Sequence, residues 1–371
     1  MKVPFFDPTR EYFNHKTSFD KAISDVLING NFIMGKQVND FEDEIKNYIN
    51  SKYTVAVANG SDGLLIASEI LGFKNSDILT PVFTFFASAS CIVRLNGNPV
   101  FVDVDEDTFC MNMHEAENLI TTNTKGIIPV HLFLQTADMK SCMNLAKKYN
   151  LLVLEDAAEA FGMKTIINKS VKYAGTIGDI GVFSFFPTKT LGAYGDGGMI
   201  VTNNEEFYKM AKSYRTHGSI KKYHHDFIGI NSRLDTLQAA ILQVKLNNIK
   251  SAIQLRAKHA ANYRDELSQV SEIKLPIIKS GNKEVNYVFS IQTKKRDELQ
   301  IFLKERDIGT SIYYPLPLHL QKCFSYLGYK KGDFPIAERL CETVLALPMF
   351  PELTESEVAY VCDSIKEFFK K

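Results

Sequence analysis

Apolar residues recur along this chain in two rhythms. VNDFEDEIKNYI spaces Val38, Phe41, Ile45 and Ile49 for one face of a helix. From residue 53 onward, short and continuously apolar runs alternate with helical patterns. YTVAVA (53–58) reads as a strand and LLIASEIL as the helix after it. DILTP followed by FASASCIVRL repeats the unit, and PVFVDV is followed by a helix near HEAENLI. GIIPV leads into DMKSCMNLAKKY, and LLVLED (151–156) is another buried strand. Runs that are apolar throughout, at this spacing, predict an α/β fold with a mostly parallel sheet covered by helices on both faces. Beyond about residue 250 the pattern shifts to a long polar helix (251–270), strands in VNYVFSIQT and SIYY, and helices near 296–306 and 355–370. Two units are expected: a large domain over 1–250 that includes an N-terminal helical segment, and a smaller α+β domain over 251–371.

Composition narrows the classes. A hydrophobic content of 45% over 371 residues supplies a sizeable core for a globular protein. Lys+Arg and Asp+Glu are both 43, so bulk charge offers no hold on nucleic acid or an anionic membrane. MKVPFFDPTREYF is interrupted by Pro4 and Pro8 and lacks the apolar region of a signal peptide, and no stretch is long and apolar enough to cross a bilayer. Six scattered cysteines without a CxxC pair read as reduced thiols of a cytoplasmic protein.

Candidate chemistry gathers where strands end. FSFFPTKTLGAYGDGG (183–198) delivers Lys189 from an apolar strand carrying Ser184 into a turn with four glycines. Burial there is expected to lower the lysine's pKa and leave a neutral amine able to form a Schiff base. Asp156 closes LLVLED, where it either serves a ligand or caps the next turn. Gly60, Ser61 and Asp62 in NGSDG open a helix and offer free backbone amides to a phosphate, although a plain N-cap by Ser61 or Asp62 accounts for the same residues. One cofactor uses all of these features. Pyridoxal phosphate (PLP) needs a lysine, an anion site, a carboxylate for its pyridine nitrogen and a flat partner, here Phe85. Neither a P-loop nor an early GxGxxG is present. His217, His224 and His225 lack the spacing of metal ligands, so no metal is expected.

The motifs also match a family in order. FIMGKQVNDFE, ANGSDGLLIA, TPVFTFFASA, NPVFVDVDEDTF, PVHLF, EDAAEAFG, FSFFPTKTLGAYGDGGMIVTNN, RTHG, GINSRLDTLQAAIL, YYPLPLHLQ and ALPMFPELTESE together resemble the DegT/DnrJ/StrS sugar aminotransferases. The resemblance implies the aspartate aminotransferase fold, with a seven-stranded large domain that binds PLP. It implies Lys189 as Schiff-base lysine and proton shuttle, Asp156 on the pyridinium nitrogen and Phe85 stacked on the ring. Ser61, Asp62 and Ser184 would hold the phosphate, and Glu159 would sit close to cofactor and sugar. Asn231 would reach the cofactor phosphate of a neighbouring subunit, making a homodimer with shared sites. Arg233, Tyr314 and His319 become substrate-facing candidates; structurally, Arg233 could instead pair with Asp235 at the start of a helix, and His319 could be a satisfied core histidine. Leu134, where relatives often carry glycine, and the threonines around Lys189 are departures that could reshape the sugar pocket.

The implied reaction moves an amino group from L-glutamate to a nucleotide-linked keto sugar, with a dTDP-3-keto-6-deoxyhexose favoured and a surface polysaccharide as destination. The alternatives are a 4-keto sugar, a UDP-linked 3-keto uronate, PLP-dependent dehydration, and a regulator or binding protein that keeps the fold. An intact Lys189 disfavours the last two.

Overall fold

Seven short strands make the central sheet of the computed structural model, which describes residues 1–221 and 223–370. They are β1 (Tyr53–Val57), β2 (Asp77–Pro81), β3 (Asn98–Val102), β4 (Thr124–Ile127), β5 (Leu152–Asp156), β6 (Ile180–Ser184) and β7 (Gly198–Thr202). Their order is β1-β7-β6-β5-β4-β2-β3. β7 runs antiparallel to both its neighbours, and every other pairing is parallel. The sheet is therefore mostly parallel, as the apolar runs predicted.

Helices cover both faces. α1 (Lys36–Ile49) buries Val38, Phe41, Ile45 and Ile49 in a core with Ala56, Phe183, Met199 and Val201. α2 (Gly60–Ile70) buries Leu64, Ile66 and Ala67 in another, with Val55, Val57, Val182 and Ile200. Successive strand residues thus enter opposite cores. Because both faces are dry, the strands need no polar alternation. Glu42 of α1 locks onto β1: its Oε1 accepts from Ala56 N at 2.8 Å and pairs with buried Arg215, whose Nη1 also donates to Ala56 O at 2.6 Å.

α3 (Thr236–Leu267) crosses residue 250 without a break. It contributes Ala239, Leu242 and Ile249 to the first core and Ala260, Tyr263 and Leu267 to a third. That third core is closed by β8 (Phe289–Gln292), β9 (Val344–Leu347), α4 (Arg296–Glu305) and α5 (Glu355–Lys370). Val3 joins it from the N-terminus, where it bridges to Ile308. SIYY differs from expectation. It is not a strand, and only Ser311 makes a bridge, to Ala346. Buried Arg256 of α3 ties the segments together by donating to Met349 O at 2.7 Å and Tyr287 O at 3.3 Å; burial pushes its guanidinium down to about 10. All six cysteines are free, and no helix among the described residues is long and apolar enough to cross a membrane.

Candidate active site

A cavity of about 380 Å³ opens where the chain leaves β1, β2, β4, β5 and β6 and enters the reversed β7, the end of a parallel sheet where ligands bind. Gly60, Ser61, Phe85, Asp156, Glu159, Ser184, Lys189 and Tyr314 all line it. One turn of sequence chemistry explains each edge.

The cradle at the start of α2 depends on two close approaches. Asn59, and neither Ser61 nor Asp62, is the N-cap: its Oδ1 accepts from Asp62 N at 2.8 Å. That bond occupies the Asp62 amide, and Asp62 does not line the cavity. Gly60 lies against Ser184, and a Cβ there would stand 2.9 Å from Ser184 Cβ. Gly198 pairs with Val57 on one side and Ser184 on the other, and a Cβ on it would stand 2.6 Å from the carbonyl carbon of Asn59. The two glycines let the start of α2, whose first amides have no acceptor within the helix, pack closely against Ser184.

Asp156 ends β5 with both oxygens held. Ser88 Oγ donates to Oδ2 at 2.6 Å and Ala158 N to Oδ1 at 3.2 Å. Burial raises its pKa above the usual carboxylate range, with the Ser88 bond opposing. Behind it, Glu155 accepts from Gly175 N at 2.9 Å and Ile177 N at 2.6 Å and meets His131 Nε2 at 2.9 Å. His131 Nδ1 accepts from Ala137 N at 3.0 Å, so the ring proton sits on Nε2 and points at Glu155.

Lys189 does not carry the lowered pKa expected of it. Burial does push the amine towards neutrality, yet Glu159 and Tyr287 outweigh that and hold it above its ordinary value. Its Nζ donates to Glu159 Oε1 at 3.1 Å and lies 4.5 Å from the centre of the Tyr287 ring. Glu159 Oε2 accepts from Phe133 N at 3.1 Å. An aromatic wall completes the cavity. Phe85, 59% exposed, stands at the mouth, 6.5 Å from Tyr314, whose ring packs 5.7 Å from Phe83. Burial, then Glu159, raises the Tyr314 phenol well above its ordinary value and keeps it protonated.

Three further predicted residues lie elsewhere. Asn231 is exposed and bridges to Thr216, away from this chain's own cavity. Arg233 precedes α3, whose N-cap is Asp235, and does not start it; among the described residues it makes no salt bridge, and its buried Nε has no hydrogen-bond partner. His319 points into the protein: Nε2 is 3.1 Å from Glu338 Oε1, the ring lies 4.7 Å from Phe334, and burial lowers its pKa. Leu134 is 2% exposed and does not line the cavity, so its side chain fills core. Sequence reasoning missed Thr84, Ser88, Tyr287 and Tyr313. Ser88 was visible inside FASAS, but only folding shows that it reaches Asp156, 68 positions away.

A lysine paired with one carboxylate, a second buried carboxylate on the same cavity and an open helix start are the parts a PLP-dependent aminotransferase requires. The family model described as the DegT/DnrJ/EryC1/StrS aminotransferase family matches residues 14–366, and the chain belongs to that family. It is 43% identical to the pleiotropic regulatory protein of Geobacillus stearothermophilus, covering 100% of this chain and 99% of the relative. It is 38% identical to a UDP-N-acetyl-3-dehydro-alpha-D-glucosamine 3-aminotransferase of Acidithiobacillus ferrooxidans (98% and 97% covered). It is also 38% identical to a dTDP-3-amino-3,6-dideoxy-alpha-D-galactopyranose transaminase of Aneurinibacillus thermoaerophilus (99% and 99%). Among solved structures, S. venezuelae DesV in complex with a ketimine intermediate superposes with a TM-score of 0.96 at 33% identity, covering 100% and 99%.

Proposed function

We propose that the chain moves an amino group from L-glutamate to the 3-keto group of a dTDP-linked 6-deoxyhexose, making a 3-amino sugar for a surface polysaccharide in the cytoplasm. The observation that carries the chemistry is Lys189 and Asp156 on one cavity whose rim is the glycine-opened cradle. The residues fit PLP: Gly60, Ser61 and Ser184 offer donors to its phosphate, Asp156 a buried carboxylate to its ring nitrogen, Phe85 a flat face, and Lys189 the amine. When bound, PLP supplies an electron-accepting ring that carries nitrogen between donor and acceptor. Lys189 Nζ is the group that carries the proton to and from the reacting carbon, and Ser88 keeps Asp156 aimed. Phe85, Phe186, Tyr313 and Tyr314 give the cavity an aromatic wall around them. Within the division already expected, 1–250 supplies the cofactor site and 251–371 supplies Tyr287, Tyr313 and Tyr314.

Two observations support the neutral 3-keto sugar. Lys189 is the one cation among the residues described as lining the cavity, so nothing on this chain's own wall pairs with a uronate carboxylate. Both 38% relatives are named for nitrogen chemistry at C3. The equal identity of the UDP-sugar relative makes a UDP-linked 3-keto sugar the second reading. We extend the proposal to a homodimer in which Asn231 serves the partner's cradle, supported by its exposure outside its own cavity. Catalytic efficiencies with dTDP-linked 3-keto-6-deoxyhexose, dTDP-linked 4-keto-6-deoxyhexose, a UDP-linked 3-keto sugar and its uronate decide the substrate. A preference for any but the first overturns this assignment and leaves the aminotransferase intact. A Lys189→Ala chain that still transferred nitrogen would overturn the role of the lysine.

A further inference from the structure

Glu159 is built to hold the lysine. It lies in the turn after Asp156, its side chain is 8% exposed, and it divides its two oxygens between fixed partners: Phe133 N on Oε2 and Lys189 Nζ on Oε1, both at 3.1 Å. Lys189 is itself 16% exposed, so both charges have shed most of their water and each is the other's main compensation. The remaining ionisable groups around Nζ do not replace it. Asp156 has Ser88 on one oxygen and Ala158 on the other. Asp196 lines the cavity without a salt bridge to the lysine among the described residues. Tyr287 adds its ring face, 4.5 Å from Nζ, and a hydrogen bond that helps to hold the ammonium, but it brings no carboxylate; its hydroxyl also meets Thr188 Oγ1 at 3.1 Å, and Tyr313 and Tyr314 present phenols.

We propose that Glu159 is the positioning residue for Lys189, holding it as an ammonium in a fixed direction and so governing when its amine is free to condense with a carbonyl. This deepens the reading of Lys189 as the reacting amine and rests on it. An ammonium has no lone pair. One Nζ–H bond must break, its proton passing to solvent base, before the nitrogen can form a C–N bond and the carbonyl oxygen leave as water. Removing the carboxylate therefore makes Lys189 a readier partner for carbonyls at neutral pH. A purely structural role for Glu159 would leave that pH dependence where it is.

The test uses the full-length chain freed of PLP. Formaldehyde forms the C=N bond and cyanoborohydride reduces it, with the rate at the Lys189 peptide followed by mass spectrometry across a pH series. Lys245, whose side chain is 6% exposed, is the internal reference, so that general loosening cancels in the ratio. In Glu159→Gln the Lys189 profile should move to lower pH by about one unit or more, the shift expected for losing an opposite charge at this range. Near pH 8 it should be trapped about tenfold faster than in the native chain. Glu159→Asp, which restores the carboxylate, should return towards the native profile. Superposed native and Gln profiles, or a shift of the Gln profile to higher pH, would overturn the proposal. Uptake of PLP, measured on the same preparations, reports separately on the cofactor reading. A chain that fails to bind PLP refutes that reading while the Lys189 profile still decides the role of Glu159.

Discussion

Replacing Gly198 by alanine separates the cradle from the rest of the fold. Gly198 sits in register between Val57 and Ser184, directly beneath the start of α2. The new methyl carbon would lie 2.6 Å from Asn59 C, 2.7 Å from Asn59 O and 2.8 Å from Gly60 N. All three are backbone atoms, so no side chain can swing aside. The start of α2 must back away by roughly 0.8 Å before carbon–carbon contact becomes tolerable. Overpacking of this kind costs about 1–3 kcal/mol. With an unfolding entropy near 2.1 cal/mol/K per residue, a chain this long loses only about 1–4 °C of Tm. The cradle suffers more, because its amides are displaced relative to the Ser184 hydroxyl. Losing one charge-assisted hydrogen bond, about 1.5–3 kcal/mol, weakens PLP about 10- to 100-fold. Calorimetry on the cofactor-free chain and a spectroscopic PLP titration measure the two effects independently. A Gly198→Ala chain that bound PLP as tightly as the native one would refute the placement of the phosphate at α2.

Other expectations follow from the same geometry. Arg215→Met leaves Glu42 buried without its ion pair and should destabilise the fold by about 3–5 kcal/mol in denaturant unfolding; a loss under about 1 kcal/mol would show that Glu42 is solvated after all. Asp156 has its pKa raised by burial in the folded chain, so the stability it contributes is present below the ordinary carboxylate pKa and is lost as pH rises through the folded value. Asp156→Asn should therefore keep or raise the Tm of the cofactor-free chain at neutral pH while weakening PLP about tenfold or more, and a lowered Tm contradicts the burial penalty. If sites are shared in a dimer, mixing inactive Lys189→Ala with weakened Asn231→Ala restores about a quarter of native activity, since half of the dimers carry one intact site. An active monomer in sedimentation rules that out.

The linear pattern of this chain was enough to determine its layers. VNDFEDEIKNYI had to be a helix because its apolar residues share one face, and continuously apolar runs such as LLVLED had to be strands buried on both sides. The ordered motifs identified the family, and Lys189, Asp156, Ser184, Gly60 and Ser61 do meet on one cavity. Periodicity says nothing about direction, so the reversal of β7, which brings Gly198 beside Asn59, came only from the fold. It also cannot say how far an isolated pairing extends, which is why SIYY contributes one bridge in place of a strand. Boundaries blurred where one helix serves two cores: α3 looked like a polar helix from 251 because its earlier turns are buried in the large unit. The inward turn of His319 onto Glu338 depends on contacts from distant segments. So does the charge on Lys189, because composition implied burial, which favours a neutral amine, while the structure adds Glu159 at 3.1 Å, which favours the ammonium. At Lys189 the carboxylate and Tyr287 together outweigh desolvation, and no spacing along the chain reveals those distances.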